Sequence, residues 1–528
     1  MIDEWSPEFL PMAYKWRLVR TFARGEEDIK NAGEEYLPRK ARQSDADYDA
    51  YRARAKTGDF TGEALKRLHG MVFRRTPTME LPCDGKFSEC IANIDRKGRS
   101  LSQFASDVAM DNIQTLWGGL ILDMPVADGI ETEHDAEEAG VRPYLKYYPA
   151  EDIVDRGFRE LNGVERLSYV VLKETVDRGV SENLDRGSPA FSHRKVVQYR
   201  LLDLDESGYY RVRVYSPEVN EKGEASYVSG KPIYVKVRGE RLRYIPFGFL
   251  PGEEPEKPML YGTAELHKHF YMQSADYENG IHYTTIPTGW SSGHTPLNDE
   301  HGRPESITLG GDSWLNFPEP EAKVGTIAFA GEGLSHAEHA LEKTHEEIGV
   351  MGTRMLAPDK AMSETKDAAQ IHRIGENSSL ATYTRNFSEK FTWMLSLMAE
   401  WMGVEGKVNV EFNVDYDSVA FDPNALNAIA NLSREGKFPA PYVYEALKKG
   451  EYLPNDSTLA EYILLMAIED AGVPLEEEFE LYRRMRAGED ISLPKPRRAV
   501  PPEPDDDEPD GDSEGDEEEL PDDEEGNG

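Results

Sequence analysis

The chain has 528 residues, long enough for several hydrophobic cores and, by length alone, two to four domains. Hydrophobic residues make up 39%, enough for a packed body, and charged residues 30%. The net charge of −39 is unevenly placed: residues 501–528 hold 16 acids and no Lys or Arg, leaving −23 on the first 500. Such a body excludes sequence-independent DNA binding driven by charge, because phosphates need Lys and Arg to release their counterions. If DNA is involved, it should pass by rather than stick.

Two cysteines, Cys83 and Cys90, give no disulfide framework, and their C-x6-C spacing is not a zinc signature. They read as reduced thiols in a cytoplasmic protein. The opening MIDEWSPEFL lacks the basic flank and apolar core of a secretory signal, and no stretch approaches 18 uninterrupted apolar residues. The expectation is a protein that is soluble and intracellular at synthesis, with no membrane contact.

Residues 1–100 read as polar and helical, with turns at Leu37-Pro38 and Thr76-Pro77. Between Gly62 and Arg75, Leu65, Leu68, Met71 and Val72 keep helical spacing. So do Leu101, Phe104, Ala105, Val108, Ile113 and Leu116. Gly119 to Asp123 then reads as a short buried strand. From 143 to 250 the texture is β: 169–172, 196–201, 209–215 and 233–237 are β-branched and aromatic, with Asp205 to Gly208 as a hairpin turn. Pro246, Pro251, Pro255 and Pro258 close the block.

Helix is expected again over 260–283, with Leu266, Phe270, Ala275 and Tyr277 as packed positions. An irregular stretch, 284–331, carries strand-like pieces at 307–309 and 324–329. A helix from Gly333 to Val350 has Leu334, Ala337, Leu341 and Ile348 on one face. The strongest periodicity spans 364–402, where Phe387, Phe391, Leu395, Met398 and Met402 form one apolar stripe, with Ser363 as N-cap and Gly403 as C-cap. Lys407 to Val414 alternates as a half-buried strand through Val408, Val410, Phe412 and Val414. Helices follow at 423–435, 441–449, 457–470 and 476–487. From Leu493 the chain is Pro-rich and then acidic, and cannot bury enough apolar surface to order itself.

Signals for chemistry are weak. There is no Walker A motif, dinucleotide fingerprint or nucleophile elbow, and Gly331-Glu332-Gly333 lacks a third glycine. His336, His339 and Glu342, with His345 beyond, could share a helix face as metal ligands, but the spacing is not H-E-x-x-H, and a solvated acidic face is the plainer reading. No catalytic residue and no cofactor is expected. The segment Met351 to Met362 draws attention as a loop with three methionines, Arg354, Lys360 and a flexible Gly352. Such a loop suits contact with a moving partner, though an ordinary helix–helix connection has the same make-up.

In this order the elements resemble the portal proteins of tailed bacteriophages. The likeness is carried by Tyr36-Leu37-Pro38, Gly70-Met71-Val72-Phe73-Arg74, Tyr148-Pro149-Ala150-Glu151-Asp152-Ile153 and Ile245-Pro246-Phe247. It continues through Ser274-Ala275-Asp276-Tyr277-Glu278-Asn279-Gly280 and the run from Gly349 through the long helix, covering about residues 10–470. The resemblance implies an α+β portal fold. Residues 1–258 would be N-terminal helices and a β-rich wing, 259–283 and 332–350 stem helices, and 284–331 the clip, with 165–245 as the other candidate for the clip. The tunnel loop would be 351–363, the spine helix 364–403, a wing strand 404–422, the crown 423–492, and 493–528 a disordered acidic tail outside the family pattern.

The function implied is that of a ring, usually of twelve subunits, at the capsid vertex. It would serve DNA packaging, head–tail joining and DNA ejection, with no enzyme activity of its own. Implied partners are the terminase large subunit, capsid and scaffold proteins, a head–tail adaptor, and double-stranded DNA passing non-specifically. The location would be the virion, with assembly in the host cytoplasm. On this resemblance Met351, Arg354, Met355, Lys360 and Met362 face the passing DNA. Two other readings stay open: another phage structural or scaffold protein, and a metal-dependent hydrolase built on His336, His339 and Glu342.

Overall fold

The computed structural model describes residues 2–125, 140–161, 163–177, 195–219, 225–285, 288–293, 319–327, 332–354, 366–414, 416, 431, 439–449, 452–453, 457–470, 480–481 and 483–484. The fold is mixed α and β, and the chain divides into two compact units, Met1–Asp417 and Ser418–Gly528.

The first unit opens with α1 (Leu10–Arg24), α2 (Glu26–Asn31), α3 (Asp45–Arg54) and α4 (Phe60–Val72). In α1, Pro11 in the first turn suits a position whose N–H has no intrahelical partner, and one face buries Trp16, Leu18, Val19 and Phe22. Ser44 caps α3 by accepting from the Asp47 amide. α4 buries Leu65, Leu68 and Val72, as its periodicity predicts. A short strand the sequence did not signal, β1 (Thr78–Glu80), and α5 (Gly85–Ala92) lead to α6 (Leu101–Thr115). The start of α6 is a capping box in which Ser100 and Gln103 satisfy each other's backbone amides.

β2 (Gly118–Asp123) is buried along its whole length because it lies between β3 (Tyr144–Pro149) and β11 (Phe247–Leu250). A side chain at Gly119 would meet the Phe247 ring at 2.0 Å, so this close crossing requires glycine. A second, antiparallel sheet runs in the order β4 (Ile153–Leu161), β5 (Val164–Asp177), β6 (Lys195–Leu204), β7 (Tyr210–Val219) and β8 (Ala225–Ser229). Alternation decides its faces: Val170, Leu172 and Leu202 enter the main core, while Tyr169, Val171 and Tyr199 form a smaller cluster on the opposite side. The 205–208 turn forms as expected, with Asp205 Oδ1 accepting from the Ser207 and Tyr209 amides and Gly208 at φ +80°. The expected strand over 233–237 is not continuous. Ile233 makes one isolated bridge to Val212, and only β9 (Lys236–Val237) pairs, with β10 (Glu240–Arg241). β-branched composition marked the segment, but a short return at the sheet margin leaves no partner for a longer ladder.

α7 (Tyr261–Thr285), β12 (Thr288–Ser292), β13 (Lys323–Ile327), α8 (Glu332–Arg354) and α9 (Lys366–Met402) come next. The expected helix ending at Val350 runs four residues further. The 307–309 segment and Ser363 lie outside the described residues. Phe387, Phe391, Leu395 and Met398 of α9 are fully buried. Each contributes on the order of 1.5–3 kcal/mol by leaving water. Gly403, at φ +69°, ends the helix in a Schellman motif, with Gly403 N–H bonded to the Glu400 carbonyl and Val404 N–H to that of Ala399. β14 (Asn409–Glu411) pairs with β1 and seats Phe412 edge-on against Phe387, with ring centroids 5.0 Å apart. The alternating segment 407–414 thus forms a shorter strand than its pattern suggested, with Val414 exposed.

In the second unit, α10 (Ala440–Lys449) and α11 (Leu459–Asp470) coincide with two of the four helices expected over 423–487. Thr458 and Glu461 form a capping box at the start of α11, and Tyr444 donates to the Ser457 carbonyl at 2.6 Å.

Candidate functional site

α7 and α8 pack side by side as an antiparallel hairpin. Two glycines on α7 show the register. A methyl group at Gly280 would sit 2.6 Å from Leu334 Cδ2, and one at Gly262 would sit 3.2 Å from Met351 Cε. The two helices therefore stay in contact over 18 residues of α7, about 27 Å at 1.5 Å per residue. Between them, β12 and β13 form an antiparallel ribbon with Trp290 opposite Gly325 and Ser291 opposite Val324. Tyr283, Trp290 and Val324 are exposed there.

The proximal half of α7 is held in the core. Thr263, Ala264, His267, Tyr271, Ser274 and Ala275 are buried, and no described residue of the helix beyond Ala275 is. This corrects the expected packed face. Ala275 belongs to it, but Leu266, Phe270 and Tyr277 are only half-buried, because α1, α3 and α4 approach from the side of His267 and Tyr271. His267 was missed by sequence reading, since a histidine beside Lys268 and His269 carries no mark of burial. Its Nε2 faces the Thr57 carbonyl at 3.0 Å and so must donate, leaving Nδ1 to accept from the Thr61 hydroxyl at 3.0 Å. Desolvation pushes its pKa down to about 4, against the weaker pull of the Thr57 carbonyl and Asp59.

Where α7 leaves the core, the segment from Lys40 to Lys56 grips it. Asp276 accepts from the Tyr51 phenol at 2.8 Å and pairs with Lys40 at 2.8 Å, and the Lys40 ammonium also lies 4.5 Å from the Tyr51 ring centre. Buried Ser274 accepts from the Lys56 amide at 2.7 Å, and the Lys56 side chain pairs with Glu278. Arg54 donates to Asn279 at 3.4 Å. The sequence Ser274-Ala275-Asp276-Tyr277-Glu278-Asn279-Gly280 thus has a physical content that the sequence alone could not supply. Four of its polar residues bind the 40–56 segment, and its glycine admits Leu334.

Of the residues singled out for DNA contact, Met351 and Arg354 lie in the last turn of α8 instead of in a loop, and so does Gly352. Met351 is half-buried, with its methyl against Gly262. Helix continues there because α7 still offers a surface to pack on at that level. Met355, Lys360 and Met362 lie outside the described residues. His336, His339, Glu342 and His345 are all exposed on α8, with His339 Nδ1 4.0 Å from Glu342 Oε2 and the His345 ring also touching Phe60 and Phe270. Among the described residues no cluster of His, Cys, Asp or Glu could hold a metal ion. No described helix is long and apolar enough to cross a membrane.

The buried charges of the first unit are structural. Arg20 bridges Asp111, at 2.6 Å, and Glu151, tying α1 to α6 and the β3–β4 turn. Arg156 lies within 6 Å of the ring centres of Phe9, Trp117, Phe158 and Phe249 and reaches Glu254 at 2.7 Å. Each cation joins segments distant in sequence, and each is enclosed by protein.

Residues 259–402, which span α7, the ribbon, α8 and α9, match a protein family described as a domain of unknown function, DUF4055. No curated protein matches the chain. Among solved structures, the chain is similar to one from the virion of a native gene transfer agent particle, at 10% identity and a TM-score of 0.32, covering 77% of this chain and 94% of that one. It is also similar to one from the neck of an empty gene transfer agent particle, at 10% identity and a TM-score of 0.32, covering 72% and 86%. At that identity and TM-score the likeness carries no functional argument, and the family that matches α7 to α9 has no function assigned to it.

Proposed function

We propose that the protein is a portal subunit of a tailed phage or phage-like particle, a structural component of a ring through which DNA enters and leaves the capsid. The observation that carries this reading is the helical hairpin. Two helices of 25 and 23 residues emerge from the core together and carry an antiparallel ribbon between them, and a 37-residue helix then returns to the core. That arrangement supports the order stem, clip, stem, spine that the sequence resemblance implies. A ribbon of two strands, with Trp290 and Val324 exposed and no further strand paired to it among the described residues, is marginal alone, and neighbours in a closed ring would cover it. α8 presents Glu338, Glu342, Glu346 and Glu347 to solvent, a like-charged surface along which a polyanion slides rather than binds.

On this reading the ring has about twelve copies, a number that rests on the resemblance. The terminase large subunit supplies the motor, scaffold and capsid proteins seat the ring, an adaptor joins the tail, and the chain acts without cofactor or catalysis. Negative-stain microscopy of the purified full chain tests it. Rings with an axial hole are expected, and a stable monomer at micromolar concentration across salt conditions would overturn the proposal. A ring-free polymer or a solid disc would favour a scaffold or other capsid-associated protein instead.

A further inference from the structure

We infer that the segment from Lys40 to Lys56 is a latch that sets the tilt of the α7–α8 hairpin, with Lys40, Tyr51, Lys56, Ser274, Asp276 and Glu278 as its positioning residues. The latch sits at the one level where it has leverage. Apolar burial holds α7 as far as Ala275, and beyond that residue the latch bonds and α8 restrain it. From Ala275 the helix runs 10 more residues to Thr285, about 15 Å, and the five-residue ribbon strand adds about 16 Å. A tilt of 10° about that exit point moves the ribbon by roughly 5 Å.

The bonds differ in kind, and that makes the latch adjustable. The Lys56 amide donating to buried Ser274, and the buried Tyr51 phenol donating to Asp276, each have one partner anchored in the core and fix where the two segments meet. Lys40–Asp276 and Lys56–Glu278 are ion pairs with exposed lysines, whose attraction is screened over a Debye length of about 8 Å at physiological salt. Salt therefore loosens the ionic half while the hydrogen-bonded half keeps the segment in place. The consequence for the width of a DNA channel rests on the portal reading. The latch itself does not.

The test measures hairpin orientation directly in the full-length chain. Spin labels go on Cys83, exposed in the first unit, and on a Ser292→Cys substitution at the ribbon, while Cys90 is buried. Labelled chain is diluted into unlabelled protein so that only distances within one chain are read. The unaltered latch should give one narrow distance distribution at low salt, and raising salt to about 1 M should broaden it. Asp276→Asn combined with Tyr51→Phe should shift the mean by about 5 Å or double the width, with the tryptophan fluorescence of the folded chain retained. Lys56→Glu should broaden the distribution, and adding Glu278→Lys should restore it. A purely structural role would lower the thermal midpoint without moving the distance. An unchanged distribution in the Asn/Phe chain, or a charge swap that fails to restore the Lys56→Glu chain, overturns the latch. Where the Asn/Phe chain fails to fold, the charge swap decides alone. Chains that never form rings but respond in this way would defeat the portal reading and leave the latch standing.

Discussion

His267→Gln isolates a single buried titration. The imidazole is fully enclosed between Thr57 and Thr61, with Phe22 and Phe60 edge-on at ring-centre distances of 4.9 and 5.0 Å. Its pKa is about 4 in the folded chain, against about 6.5 for an exposed histidine. Above pH 6.5 the ring is neutral in both states and titration contributes nothing. As pH falls through 6.5 the unfolded chain binds a proton that the folded chain refuses, so stability drops until about pH 4, where the loss reaches about 3 kcal/mol. Between pH 7.0 and 4.5 the loss is about 2 kcal/mol. Glutamine can donate to the Thr57 carbonyl and accept from Thr61 as the imidazole does, but it does not titrate. The assay is urea denaturation of the full chain at both pH values, followed by tryptophan fluorescence. All seven tryptophans precede residue 402, so the signal comes from the first unit. The parent should lose about 2 kcal/mol more than His267→Gln over this interval. Equal losses would refute the argument, whatever the absolute stabilities.

Glu174 has the opposite sign. Burial alone would raise its pKa, but the Lys146 charge and hydrogen bonds from Lys146, Tyr148 and Gln198 outweigh it and bring the value to about 2. Its contribution of about 3 kcal/mol is present above pH 4.5 and lost as pH falls towards 2, so Glu174→Gln should cost that much in denaturant midpoint at pH 7 and progressively less in acid. Gly280→Ala puts a methyl group 2.6 Å from Leu334 Cδ2, so the Leu334 tip must shift, and this cost should cancel most of the roughly 1 kcal/mol of helix propensity that Ala gains; combined with Leu334→Ala, the same substitution should show that gain in thermal unfolding. Replacing Arg354 and Lys360 together with Ala should leave rings intact under the microscope and reduce DNA packaged or retained per particle. Full retention would remove these two cations from the proposed tunnel role.

The sequence alone determined the elements whose burial pattern is local. The stripe Phe387, Phe391, Leu395 and Met398 is legible because a helix buried on one face repeats every 3.6 residues whatever it packs against. The C-cap Gly403 and the turn at Asp205 to Gly208 are equally legible, since each satisfies backbone groups within a few residues of itself. Tertiary structure decided what depends on distant partners. β1 forms only because residues 409–411 arrive beside it, and the 233–237 segment is split into a single bridge at Ile233 and a two-residue pairing with β10 by the partners the fold brings to it. α8 extends through Met351 because Gly262 of the antiparallel helix offers a surface there, which a reading of composition took for a loop. His267 and the polar strip from Ser274 to Asn279 lay in plain view, yet their partners are more than 200 residues away. Hydrogen-bonding capacity is written in a side chain, and the partner that uses it is chosen by the fold.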